Sequence, residues 1–212
     1  MNKSEKFWDN VSKTYDKDEK HFELIHNKVV ENTKKYLNAR DIVLDYGCAT
    51  GTKTLELAGD VNNIQGFDIS SKMIKIAKRK ATENKIENVD FGHTTIFDEK
   101  YKRESFDVIL AFNILHAIED NQQVIKRISE LLKSSGLFIS TTPCLKEEMA
   151  FLTKFKLSFY LLLIKMGFVP NILTRFKINE IRDLITNGNF QIIETENIYH
   201  QLSNCFVVAK KA

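Results

Sequence analysis

Two aspartates flanking a glycine-containing turn are the residues in this chain whose types and spacing first suggest chemistry. Asp45-Tyr46-Gly47-Cys48-Ala49-Thr50-Gly51 follows the apolar run Ile42-Val43-Leu44. Glycine lets the backbone turn tightly and approach a ligand without a Cβ in the way. Ligands in open α/β sheets sit beyond the carboxyl ends of the strands, where Asp45 would accept a hydrogen bond from an ammonium group, directly or through water. Taken alone, the segment reads equally well as a tight strand-to-helix turn. Asp68 lies 23 residues further on, at the end of Ile64-Gln65-Gly66-Phe67. A carboxylate at about that interval accepts hydrogen bonds from ribose hydroxyls, or merely caps the next helix, a duty Ser70 can share. Strand, glycine turn, helix, strand and acid in that order point to an adenosine-containing cofactor.

The elements that must position these residues alternate. Phe7, Val11, Tyr15, Phe22, Ile25 and Val29 recur at helical spacing with charges between them, so the first forty residues read as helix. Strands are expected over 42–46, 64–68, 89–91, 106–112 and 137–141. Between them, helices are expected over 52–58, from Ser70 or Ser71 to Lys80, and through Val124, Ile128, Leu131 and Leu132, the last ended by Ser134-Ser135-Gly136. Phe106-Asp107-Val108-Ile109-Leu110-Ala111-Phe112 is almost continuously apolar, as a strand covered on both faces should be. Two closing runs, 191–198 and 202–209, are too close together for anything but an antiparallel hairpin. The expected fold is α/β: a Rossmann-like, doubly wound, mostly parallel seven-stranded sheet with a terminal antiparallel hairpin and helices on both faces. The chain reads as one domain, with a helical cap (1–40), a cofactor-binding core (41–142), a helical lid or substrate insertion (143–188) and the hairpin (189–212).

Four motifs in this order resemble the class I S-adenosylmethionine-dependent methyltransferases, particularly the branch of ubiquinone/menaquinone-biosynthesis-type small-molecule enzymes. Val43-Leu44-Asp45-Tyr46-Gly47-Cys48-Ala49-Thr50-Gly51 is similar to V-L-D-x-G-C-G-T-G, and Gly66-Phe67-Asp68-Ile69-Ser70-Ser71-Lys72-Met73 to G-x-D-x-S-x-x-M. Ser105-Phe106-Asp107-Val108-Ile109 with Asn113-Ile114-Leu115-His116 resembles S-F-D-x-V and N-x-L-H, and Phe7-Trp8-Asp9 with Tyr15-Asp16 resembles the opening F-W-D…Y-D helix. The resemblance covers about residues 5–142. It implies that the turn from Asp45 and Gly47 through Cys48 and Ala49 to Gly51 holds the methionine end of S-adenosylmethionine and that Asp68 holds the ribose. Ile69 and Met73 would sandwich the adenine, a good use for a polarizable thioether. Ala111 and Asn113 would line the sulfonium side, with Tyr15 closing over it. Met73 reads equally as core, and Trp8 and Tyr15 as residues that pack a polar helix onto the sheet. Two positions depart from the pattern. Ala49 stands in place of glycine and adds a Cβ beside the cofactor's carboxylate end. His93-Thr94-Thr95-Ile96 replaces G-D-A, so Thr95 takes the acidic place without charge assistance, and the adenine contact falls to the Ile96 backbone amide.

Methyl transfer from a sulfonium needs mainly alignment. An oxygen or nitrogen acceptor also needs a base, for which His116 at the end of the fourth strand is the best-placed histidine; its other reading is a residue that orients loops. His21, His26 and His200 have less to recommend them. No metal site is expected, because histidines and acids do not fall at ligand spacing.

Leu145 to Gly188 holds the most apolar stretch, residues 151–165, interrupted by Lys154, Lys156 and Lys165. Three readings stand: a cover over a lipid-like or quinone-like acceptor, an amphipathic helix in peripheral contact with a membrane, or a helix packed in a dimer or on the domain, with 151–170 as the contact region. Ile178, Ile181, Leu184 and Ile185 mark a further amphipathic helix over 176–188. The net charge of +3, from 31 basic and 28 acidic residues spread along the chain, gives no basic stripe for nucleic acid. Three dispersed cysteines give neither a disulfide framework nor a zinc knuckle, and the polar amino terminus lacks a signal peptide's apolar stretch, so a cytoplasmic location is expected. The main expectation is methylation of a small, apolar or amphipathic acceptor. The alternative is a non-catalytic binder of S-adenosylmethionine or S-adenosylhomocysteine with the same fold, favoured by Ala49 and Thr95. A nicotinamide dehydrogenase ranks third, lacking G-x-G-x-x-G.

Overall fold

The computed structural model describes residues 3–168 and 173–212. Seven strands form one sheet in the order β3-β2-β1-β4-β5-β7-β6. β1 (Ile42–Tyr46), β2 (Asn63–Asp68), β3 (Val89–His93), β4 (Phe106–Phe112) and β5 (Leu132–Pro143) run parallel. β7 (Leu202–Lys211) lies antiparallel beside β5, and β6 (Phe190–His200) pairs antiparallel with β7 at the edge. Strand order reverses between β1 and β4. The crevice beyond their carboxyl ends is therefore the ligand-binding position of an open α/β sheet.

Alternate residues of the central strands feed two cores. Leu44, Phe67, Ile109 and Phe138 pack under α6 (Asn121–Leu131) and α8 (Ile178–Asn187), while Val43, Ile64, Val108, Leu110 and Ile139 pack under α3 (Glu23–Lys34). Burial on both faces explains the unbroken apolar reading of β4. The amino-terminal forty residues form α1 (Lys3–Val11), α2 (Tyr15–Glu19), a 3₁₀ turn and α3. α4 (Thr52–Leu57) follows β1, and α5 (Ser71–Glu83) follows β2 with the Ser70 hydroxyl accepting from the Met73 amide. α8 buries Ile181 and Ile185 completely, with Ile178 and Leu184 half-buried beside them, as the helical spacing implies.

Two boundaries differ from expectation. α6 ends at Leu131, and Ser134-Ser135-Gly136 belongs to β5, which begins five residues earlier than the expected Leu137. Leu132 pairs with Phe106 before the register shifts, Ser135 takes a φ of +63° at the irregularity, and Lys133 reaches the Asp107 carboxylate at 2.8 Å. These partners are 26 residues away along the chain, so no local signal announces them. The hairpin is longer than expected, with Gln201 alone between its strands at a φ of +63°.

Candidate functional site

The turn after β1 is built from three left-handed residues, Gly47 at φ +72°, Ala49 at +49° and Gly51 at +74°. Gly47 and Cys48 donate their amides to the Phe67 carbonyl at 2.9 and 3.0 Å, which fixes the turn to β2. Asp68, ending β2, accepts from the Ala49 amide at 3.2 Å and the Ser70 amide at 2.8 Å. Asp45 accepts from the Thr54 hydroxyl at 2.6 Å. Burial raises both carboxyl groups, Asp45 to about 6, against the opposing pull of the Thr54 hydroxyl on Asp45 and of the two amides on Asp68. Two acids whose charged forms burial disfavours, at neighbouring strand ends, favour a cationic or hydroxyl-bearing ligand, which returns their hydration.

The amino-terminal cap is clasped onto this turn. Asp9, buried on α1, accepts from the Ser70 hydroxyl at 2.6 Å and the Lys72 amide at 3.2 Å, so it serves the start of α5, and the Ser70 bond lowers its pKa. On α2, Asp16 accepts from the Thr50 hydroxyl at 2.5 Å and from Lys80 at 2.8 Å. Glu19 pairs with Lys53 of α4, and His26 of α3 meets the Glu56 carboxylate at 2.9 Å. Burial opposes ionisation of Glu19, but His26 and Lys53 hold it down at about 2. Tyr15 lies under this clasp; burial, then the carboxylates of Glu19, Asp68, Asp16 and Asp45, keep its phenol protonated.

Tyr15, Glu19 and Lys53 separate two spaces and line both. A narrow one of about 20 Å³ lies against Asp45, Gly47, Cys48, Ala49, Thr50, Thr52 and Phe112. A broad one of about 620 Å³ lies between the cap and α7 (Phe151–Lys165), with Val11, Phe22, Ile25, Val29, Leu145, Leu157, Tyr160 and Leu173 supplying apolar walls. Its volume is in the range that encloses small organic ligands. Asn113 and His116 reach it from the end of β4. His116 sits in a short 3₁₀ turn, its Nδ1 is buried without a hydrogen-bond partner, and burial lowers its pKa to about 4. The imidazole is therefore neutral at pH 7 with a ring nitrogen free to bond.

A family model described as a methyltransferase domain matches residues 37–202, most of the chain. The chain belongs to this methyltransferase domain family. Among curated relatives, the ubiquinone biosynthesis O-methyltransferase of Actinobacillus pleuropneumoniae is 32% identical over 105 residues, 47% of this chain and 44% of that protein. The demethylmenaquinone methyltransferase of Alkalihalophilus pseudofirmus is 29% identical over 119 residues, 55% of this chain and 49% of that protein. The chain thus spans about half the length of these curated relatives. Bacillus subtilis YcgJ, a solved structure, superposes with a TM-score of 0.70 at 17% identity, covering 87% of this chain and 98% of its own. Fold and family together place the chain among the class I methyltransferase domains, a family whose cofactor is S-adenosylmethionine.

The donors fit that cofactor: a left-handed turn offers a close backbone approach, Asp45 an acceptor for an ammonium group and Asp68 one for hydroxyls. Of the residues expected in the site, the fold brings Tyr15, Asp45, Gly47, Cys48 and Ala49 together on the narrow space, and Asn113 and His116 onto the broad one.

 Asp68 and Ile69 follow at the end of β2, where His93 Nε2 donates to the carbonyl of the half-buried Ile69 at 2.9 Å. Gly51 caps α4, and its Cα faces Phe91 and Ala77. Thr95 is exposed on the loop after β3, accepting from the Phe97 amide at 3.3 Å. Met73, Ile96 and Ala111 are interior, each 1% exposed or less, and border neither space. Ala111 and Asn113 do not share a face, because Asn113 takes a φ of +53° and ends the strand alternation. The sequence reading missed Phe112, Glu19, Thr52 and Lys53. Phe112 was legible as the last strand residue before Asn113; the clasp residues carried no local signal.

Proposed function

We propose that this protein transfers the methyl group of S-adenosylmethionine to a small, apolar or amphipathic acceptor bound in the 620 Å³ space. The observation that carries the reading is the junction of two sites: paired acids on a left-handed turn, and a mainly apolar cavity bearing a neutral histidine. S-adenosylmethionine, when bound, supplies a methyl group already activated on a sulfonium. The chain's part is to hold and align. Asp45 would take the ammonium group, Asp68 the ribose hydroxyls, and the turn amides the carboxylate end. The apolar walls would hold the acceptor and exclude water, while the free ring nitrogen of His116 would accept a proton from an acceptor hydroxyl or amine. The narrow space beside the turn implies that α2 swings outward to admit the cofactor and that Tyr15 then covers it. Quinone-type acceptors are supported by the relatives' names and by the apolar walls.

A second reading, chemistry on the cofactor itself, has one observation behind it. The carboxy-S-adenosyl-L-methionine synthase of Nautilia profundicola is 27% identical over 184 residues, 79% of this chain and 77% of that protein. A large apolar cavity favours the first reading, since adding a carboxyl group to the cofactor calls for no apolar acceptor space. Calorimetry with S-adenosylhomocysteine, against Asp68→Asn and with NAD as control, tests the cofactor. Micromolar binding lost in the variant supports the proposal, and an acceptor screen with quinone precursors and lipids then separates turnover from binding alone. No binding at millimolar ligand refutes it.

A further inference from the structure

The helix α7 has two faces with different surroundings. Thr153, Lys156, Leu157 and Tyr160, spaced as one helical face, border the broad cavity. The opposite face carries Phe151, Leu152, Phe155 and Phe159, which are 81, 71, 67 and 57% exposed. None of its 15 residues is buried. Large apolar side chains gathered in one stripe on a surface mark an interaction site, because leaving them in water is costly.

Charge selects the occupant. Residues 149–179 contain five cations, Lys154, Lys156, Lys165, Arg175 and Lys177, and no acid. All five are exposed, and among the described residues Lys154, Lys156 and Lys165 make no ion pair. A second copy of this chain would bring the same cations against one another. An acidic protein partner would match the charge but gives no reason for an unbroken row of phenylalanines. An anionic lipid surface satisfies both features: the rings enter the acyl boundary and the lysines meet the headgroups. At about 1.5 Å per residue the helix is roughly 22 Å long, and no helix among the described residues is long and apolar enough to cross a membrane, so it lies in the surface plane.

We infer that α7 seats this protein on anionic lipid bilayers through Phe151, Leu152, Phe155 and Phe159, with its inner face roofing the cavity so that an apolar acceptor loads from the bilayer. The docking stands apart from the proposed chemistry; only the loading route rests on it.

The test is sedimentation of the full chain with vesicles of phosphatidylcholine alone and with added phosphatidylglycerol. Binding is expected to the anionic vesicles, weak to the neutral ones and falling with salt. Phe155→Ser with Phe159→Ser should abolish it, and Lys154→Gln with Lys165→Gln should weaken it about 25-fold, taking about fivefold per cation near an anionic surface. Both variants should keep the wild-type melting temperature and S-adenosylhomocysteine affinity, which separates a failed docking surface from a failed cofactor assignment. Wild-type protein left in the supernatant at low salt overturns the inference. So does equal binding by the phenylalanine variant, or a concentration-dependent dimer in light scattering that this variant removes while vesicle binding is absent.

Discussion

Alanine at position 51 would place a Cβ 2.6 Å from Phe91 Cζ and 3.0 Å from Ala77 Cβ, at a backbone φ of +74°. Neither neighbour can withdraw: Phe91 is 6% exposed and Ala77 is fully buried between α5 and the sheet. A left-handed conformation costs an alanine about 1–2 kcal/mol. Overpacking in a filled core adds about 1–3 kcal/mol. Against this, alanine restricts the unfolded chain and returns about 0.4–1 kcal/mol. The balance for Gly51→Ala is a loss of about 2–4 kcal/mol, and at about 2–4 °C per kcal/mol for a chain of this size the melting temperature falls by roughly 5–15 °C. Ala49→Gly, two residues earlier at φ +49°, runs the other way. Relief of left-handed strain, about 1–2 kcal/mol, exceeds glycine's added freedom in the unfolded chain, about 0.5–1 kcal/mol, so stability rises slightly. Thermal melts of both variants without ligand decide the matter. A Gly51→Ala protein melting within about 2 °C of wild type, or an Ala49→Gly protein markedly less stable than wild type, would refute the turn geometry on which the cofactor site rests.

Other consequences are as direct. Burial holds the Asp45 pKa at about 6, and an ammonium ligand would lower it, so S-adenosylhomocysteine affinity should fall as pH drops through about 6. Titrations in buffers of different ionisation enthalpy should show proton release there, and Asp45→Asn should flatten the profile. The Glu19 bond raises His26, against its burial, so His26 contributes stability that is fully present below its ordinary value of 6.5 and is lost as pH rises through the folded value. Melting temperatures of wild type and His26→Gln should therefore converge toward alkaline pH; a constant difference would remove the histidine's charge from the clasp. Ile181→Ala empties a fully buried site on α8 and should cost about 2–5 kcal/mol in urea unfolding. His116→Gln should lower kcat about 100-fold or more for an oxygen or nitrogen acceptor while S-adenosylhomocysteine affinity holds, and kinetics with an unchanged kcat would limit His116 to shaping the cavity.

Local physics explains which parts of the fold were legible in the sequence. β1 and β4 announced themselves because parallel strands covered on both faces need apolar residues at every position, as Val43-Leu44 and Val108-Ile109-Leu110 supply. Ser70 announced the start of α5 because an N-cap is written in one side chain. The end of α6 was hidden. Leu131 and Leu132 continue a helical pattern, and only pairing with Phe106 and the Lys133–Asp107 contact draw the chain into β5. Within the site, Asp45, Gly47 and Asp68 were legible because a strand-end acid and a left-handed turn have few other uses together. Met73 was ambiguous because one face of α5 must both cover the sheet and approach the strand ends, and burial of Met73, at 1% exposed, serves either use.

The clasp bears on how the site opens. Asp16, Glu19 and His26 belong to the cap, and Thr50, Lys53, Glu56 and Lys80 to the elements around the turn, so each link joins residues about 30 or more positions apart. Their binding partners differ in kind. Asp9 is tied to the amino end of α5 by a buried hydroxyl and a backbone amide, contacts that a rigid body keeps. The pairs on α2 and α3 involve partly exposed side chains, such as Glu56 and Asp16, which water can solvate when they part. Opening therefore costs least at α2, with α1 remaining anchored as the hinge side. Tyr15, at the first position of α2, moves with it, which makes the same residue the door to the narrow space and a wall of the broad one. Lys53→Met would release Glu19 from α4 while leaving Asp9 in place. It should speed S-adenosylhomocysteine association and dissociation in stopped flow more than it alters the equilibrium affinity. An unchanged association rate would mean that the cofactor reaches the turn by a path that does not pass under α2.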